Sequence, residues 1–246
     1  MSVPRLLVFD LDGTLINSSL DLCNSVNAML EHLGKPPLPN AVIASYIGDG
    51  AAMLVRRALG DPGDLDASIH DESVLREALD FFIRYYRVHK LDNTLVYEGV
   101  LASLEHIRSR HPHILMAVLT NKPVGPSRDI CTQLQLAPFF FQNYGGDSFP
   151  TKKPDPQGLR TLIAEANAIL SGRSDSEPPL LADEVVMIGD TDVDVLTGRS
   201  CGARTLGCAF GLSPHALAGS QPDTLVDHAS EWPRSEEHTS ELQSPC

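Results

Sequence analysis

The sequence has no CxxC pair, and its 5 cysteines, Cys23, Cys131, Cys201, Cys208 and Cys246, are scattered and odd in number. That pattern argues against a disulfide framework or a thiolate zinc site and implies reduced thiols. Positive charge is also scarce. With 19 Lys and Arg against 32 Asp and Glu, the net charge is −13, which argues against binding nucleic acid by counterion release. A few local donors can still hold a small anion against that distant field. A leader or membrane anchor would need a long apolar run, and the first run is neither long nor clean. Residues 6–9 are followed at once by Asp10 and Asp12, too short and too acidic for a signal peptide or a membrane span. A cytoplasmic protein that leaves membranes alone is therefore expected. No internal repeat is evident. The polar segment 234–246 offers no apolar face to bury, resembles translated adapter sequence, and is set aside.

What the sequence does contain is a set of short apolar runs that stop at polar residues. Residues 6–9 precede Asp10, 115–119 precede Thr120, and 185–188 precede Gly189 and Asp190. Such runs, rich in Val, Ile and Leu, read as strands buried on both faces of a parallel sheet. Helical spacing separates them, as in Leu159, Leu162, Ile163, Ala166 and Ile169. Alternating strand and helix predicts an α/β fold, a Rossmann-like parallel sheet core with helices on both faces.

Residues 18 to about 92 break the alternation, with helix signals and no convincing strand. Asn17 and Ser18 can cap a helix with the apolar face Leu22, Cys23, Val26, Leu30 and Leu33, ending at Gly34 and Pro36. Another runs through Met53, Leu54 and Ala58, and a third from Val74 to Tyr86, opened by Asp71 and Glu72. An all-helical cap over 17–94 is expected, inserted into a core made of 1–16 and 95–233. Its hinges fall near 16–19 and 92–98. Phe81, Phe82, Tyr85 and Tyr86 are expected to pack the cap helices, and 171–179 reads as a solvated loop.

In an open parallel sheet, ligands bind beyond the carboxyl ends of the strands. Asp10 and Asp12, Thr120 and Asn121, and Asp190 and Asp194 all fall there, with Lys153 in a nearby loop. Carboxylates gathered about 4 Å apart repel by roughly 4 kcal/mol per pair at an effective dielectric near 20. A cation must offset this, and oxygen-only ligands with an open site suit Mg²⁺.

The run Asp10-Leu11-Asp12-Gly13-Thr14 resembles the first motif, DxDGT, of the haloacid dehalogenase superfamily. Thr120, Lys153 before Pro154, and the GDxxxD pattern from Gly189 to Asp194 match the other three motifs in order. The resemblance implies Asp10 as a nucleophile that becomes an aspartyl-phosphate and Asp12 as the general acid and base. It implies Mg²⁺ held by Asp10, the Asp12 carbonyl and Asp190, with Asp194 orienting or ligating, and Thr120 and Lys153 binding phosphoryl oxygens. Gly13 and Thr14, with Asn121, then complete the phosphate cradle. Lys152 is a less favoured alternative to Lys153, because it does not directly precede the proline.

Residues 46–59, 119–123 and 145–147 further resemble the phosphoglycolate phosphatase branch, a monomer or homodimer acting on a small phosphate. There Gly48 and Gly50 could present backbone N–H groups to a substrate carboxylate, assisted by Arg56. Asp12 argues against a metal-free dehalogenase. A β-phosphoglucomutase-like enzyme or a pyrophosphatase would keep the same core, so both stay open. A phospho-receiver signalling module shares the residue types, but the first-motif spacing and the cap favour an enzyme.

Overall fold

The computed structural model describes residues 3–60, 72–173, 178–213, 217 and 219–233. Asp71 and the segment 234–246 lie outside them. Among the described residues, eight strands and eight α-helices follow one another in the order β1 (Leu6–Phe9), β2 (Ile16–Asn17), α1 (Ser19–His32), α2 (Asn40–Ala44), α3 (Ala51–Ala58), α4 (Glu72–His89), β3 (Leu95–Val96), α5 (Val100–Arg110), β4 (Leu115–Leu119), α6 (Val124–Gln133), β5 (Gln142–Tyr144), α7 (Gln157–Arg173), β6 (Val185–Gly189), α8 (Asp192–Ser200), β7 (Arg204–Cys208) and β8 (Thr224–Val226). Six strands make one parallel sheet in the order β5-β4-β1-β6-β7-β8. This is the α/β, Rossmann-like arrangement expected. No helix among the described residues is long and apolar enough to cross a membrane.

The period-2 geometry of a strand sends successive side chains to opposite faces, and the apolar runs supply both. From β1, Leu7 and Phe9 enter one core with Met116, Val118, Val186 and Ile188, beneath α5 and α6. Leu6 and Val8 enter the other with Leu115, Ala117, Val185 and Met187, beneath α7. Burial on both faces is why these strands contain no polar residue until they end.

Helices α1 to α4 pack around a third core of their own, centred on Val26, Met29, Leu54 and Phe82. The chain enters and leaves this helical unit through the antiparallel pair β2 and β3, with Ile16 opposite Val96 and Asn17 opposite Leu95. A ribbon thus stands where only flexible linkers were expected. Asp21 on α1, 1% exposed, fastens the exit. Its carboxylate accepts hydrogen bonds from Asn93 N–H (3.0 Å), Asn93 Nδ2 (2.8 Å), Thr94 N–H (2.8 Å) and Thr94 Oγ1 (2.7 Å). Two local readings are corrected. Ser18 makes no capping bond to α1; its hydroxyl donates to Asp12 instead. Residues 171–173 complete the last turn of α7 rather than beginning a loop.

Candidate active site

The sheet order places β4 on one side of β1 and β6 on the other. The chain reaches β4 across one face and β6 across the other, so the carboxyl ends of these three strands border the crevice where α/β sheets hold ligands. Asp10 follows β1 and is tied to β6, its N–H donating to the Ile188 carbonyl at 2.8 Å. Thr120 follows β4, its N–H donating to the Tyr144 carbonyl of β5 at 3.0 Å. Asp190 follows β6, and Asp194 lies in the first turn of α8.

These residues converge. Carboxylate oxygens of Asp10, Asp190 and Asp194 lie within 4.8 Å of one another, all three buried. Lys153 Nζ sits 2.9 Å from Asp10 Oδ1 and 2.6 Å from Asp194 Oδ1. The second Asp194 oxygen accepts from Thr191 N–H (3.1 Å) and Oγ1 (2.7 Å). Asp190 Oδ2 accepts from Leu212 N–H at 2.8 Å, while its Oδ1 is buried with no hydrogen-bond partner among the described residues. Space around Asp190 is tight. A Cβ at Gly13, whose φ is +85°, would stand 2.1 Å from Asp190 Oδ2, so the residue there must be glycine for steric and conformational reasons together.

The electrostatics follow from burial. Desolvation pushes Asp10 up to about 6, with Lys153 opposing and the Asp194 and Asp12 charges adding to the rise. Asp190 is raised well above the usual carboxylate range, first by burial and then by Asp10 and Asp194. Burial pulls Lys153 down, but Asp10 and Asp194 more than offset this and hold it above the ordinary lysine value. Three carboxylates around one ammonium leave an excess of two negative charges when all are ionised. Together with the unsatisfied Asp190 Oδ1, that fits a hard divalent cation held by oxygen ligands. Asp10 and Asp190 have oxygens to offer such an ion, whereas both oxygens of Asp194 are engaged in fixing Lys153 and the start of α8.

Asp12 points elsewhere. Lys122 Nζ donates to both of its oxygens, at 2.7 and 2.9 Å, and Ser18 Oγ to one of them. Lys122 is buried, and its ammonium also lies 4.8 Å from the ring centroid of Tyr86 on α4, a cation–π contact between the sheet and the helical unit. Burial lowers the Lys122 ammonium, yet Asp12 outweighs it and holds the pKa above normal. Above Asp10, Asp12 and Thr120 opens a cavity of about 510 Å³ whose far wall belongs to the helices.

Of the other residues singled out from sequence, Asn121, Gly48 and Gly50 line this cavity. Asn121 Nδ2 donates to the Gly48 carbonyl (3.2 Å) and to that of Lys153 (3.1 Å), joining the helical unit to the sheet. Thr14 is fully buried and Arg56 half-buried on α3, and neither lines the cavity. Of the paired lysines, Lys153 is the one beside Asp10; Lys152 donates to the Asp49 carbonyl. Lys122, Ser18 and Tyr86 were not foreseen as parts of the site. The available signal for Lys122 was its place two residues after Thr120, at the same strand end.

This fold with this site defines a family. The haloacid dehalogenase-like hydrolases match residues 7–208, and the chain belongs to them. Among its relatives, a phosphoglycolate phosphatase of Pseudomonas putida is 34% identical over 92% of this chain and 77% of its own length. One of Neisseria meningitidis is 35% identical over 90% of this chain and 87% of its own. The crystal structure of a predicted phosphoglycolate phosphatase from Haemophilus somnus superposes with a TM-score of 0.82 at 27% identity, covering 96% of this chain and 99% of that one.

Proposed function

We propose that the protein is a Mg²⁺-dependent phosphate monoester hydrolase that transfers a phosphoryl group from a small organic phosphate to Asp10 and then to water. The names of its relatives make 2-phosphoglycolate the first substrate to test. The observation that carries the reading is the position of the Asp10 carboxylate, at the floor of the cavity and beside Lys153, Asp190 and Asp194.

In the first step an Asp10 oxygen attacks phosphorus, the bond from phosphorus to the ester oxygen breaks, and the Asp12 carboxyl donates a proton to the departing alcohol. In the second, water attacks the aspartyl-phosphate, Asp12 takes its proton, and Asp10 is released with inorganic phosphate. Hydrogen bonds from Lys122 to both of its oxygens fix the Asp12 carboxyl at the mouth of the site, where the proposed proton transfers take place. Lys153 and Thr120 steady the phosphoryl oxygens. Asp10 and Asp190 would hold Mg²⁺, whose positive charge would offset the carboxylates and the incoming phosphate. Helices α1 to α4 form a cap that shields the transfer from bulk water. A reducing compartment such as the cytoplasm suits the free thiols of Cys23, Cys131, Cys201 and Cys208.

Phosphate release from a panel of small phosphates, with and without Mg²⁺, tests the proposal. Release of inorganic phosphate from at least one member, abolished by chelation, is expected. Conversion of glucose 1-phosphate to glucose 6-phosphate without net release would point to a mutase instead.

A further inference from the structure

The cavity above Asp10 is larger and less polar than a glycolate moiety requires. Its volume of about 510 Å³ lies within the range of roughly 300–1,000 Å³ typical of pockets for drug-sized ligands. A phosphoryl group seated on Asp10 occupies only the end formed by Asp10, Asp12 and Thr120. The space beyond is walled by Leu22, Ile47, Leu54, Phe82, Ile83 and Tyr86, all from the helical unit.

A second carboxylate on the substrate would find poor company there. Lys122, one of the two cationic side chains that line the cavity among the described residues, is already bound through its ammonium to both oxygens of Asp12. The other, Arg87, is exposed, and Asp147 adds a like charge to the wall. Arg56, expected to assist, lies off the cavity. With no buried cation free beside it among the described residues, a carboxylate is left with the backbone at Gly48 and Gly50; its desolvation against leucine and phenylalanine is unfavourable, whereas an apolar group gains in proportion to the area it buries.

We infer that the substrate's alcohol half is an uncharged group with a sizeable apolar surface, and that the enzyme favours phosphate monoesters of such alcohols over short-chain or acidic ones. The inference rests on the phosphatase reading above and names the substrate class for that site. Phe82 and Tyr86, 2% and 5% exposed, stack behind the wall with their centroids 5.8 Å apart, and the Lys122 ammonium lies over the Tyr86 ring, so the half-buried Ile47 and Ile83 are the wall residues that offer apolar surface to a ring or branched chain.

The test is steady-state phosphate release by the full chain with Mg²⁺ from ethyl, butyl and 2-phenylethyl phosphate, with 2-phosphoglycolate alongside. The three neutral alcohols are all primary, so the acidity of the leaving group changes little while apolar size grows. kcat/KM is expected to rise by about tenfold or more from ethyl to 2-phenylethyl, mainly through KM, and to end above the value for 2-phosphoglycolate. Ile83→Asp, on the half-buried part of the wall, should flatten that rise. A flat or falling series with 2-phosphoglycolate fastest would overturn the inference and leave the phosphatase reading intact. Absence of release from every ester, 2-phosphoglycolate included, would overturn both. The wild-type series decides the matter even where the variant misfolds.

Discussion

Asp10 answers to two opposed requirements. As the proposed nucleophile it would have to be ionised to attack phosphorus, yet burial and neighbouring carboxylates raise its pKa from 3.8 to about 6. The folded chain therefore holds this proton more tightly than the unfolded one. Its contribution to stability is full below about pH 4 and is lost as pH rises through about 6. The metal-free protein should accordingly lose stability across that interval, as thermal denaturation in chelator at stepped pH will show. Asp10→Asn removes the buried charge, so at pH 7 it should stabilise the metal-free fold by on the order of 1–3 kcal/mol, while phosphate release falls by about 10³-fold or more. Lys122 shows the limit of reading such sites from sequence. A lysine after Thr-Asn looks like a solvated charge, and only the fold brings it to Asp12, 110 positions earlier. Lys122→Met strands the Asp12 carboxylate, and should lower kcat about tenfold or more and stability by roughly 1–3 kcal/mol in urea titration. Arg56 errs the other way: a cation near a glycine loop looks functional, but the turn of α3 carries it off the cavity.

Among the elements, the strands were the most legible. β1, β4 and β6 are short apolar runs because both their faces are buried, and their ends are marked by the polar residues that form the site. β2 and β3 are two residues each, below the length at which any alternation can register, so the ribbon could not be read from pattern. Ser-Gly-Arg at 171–173 carries no apolar periodicity and so reads as loop, although α7 continues through these residues. Asp21 was equally silent, since an acidic residue in a first helical turn is an ordinary dipole partner. Its true task is to gather the exit strand through four hydrogen bonds. Asp21→Asn removes the charge and one acceptor oxygen, and should cost about 1–3 kcal/mol. Faster amide exchange confined to residues 93 and 94 would show that the loss is local to this junction.

For the molecule as a whole, three buried carboxylates beside one ammonium make the folded state a binder of cations under the reading proposed above. Any cation that binds the native site and not the unfolded chain stabilises it, by about 2.7 kcal/mol at one hundred times its Kd. Addition of Mg²⁺ should raise the thermal midpoint of the wild-type protein and do much less for Asp10→Asn; equal shifts in both would remove Asp10 from the proposed ligands. The β2–β3 ribbon has an evolutionary consequence. Because the strands entering and leaving the helical unit lie side by side, a two-residue hairpin could join them directly. Everything between is, in topological terms, a cassette: it can be exchanged for another shape without rerouting the chain that builds the chemistry, which lets one phosphoryl-transfer engine be refitted for different substrates.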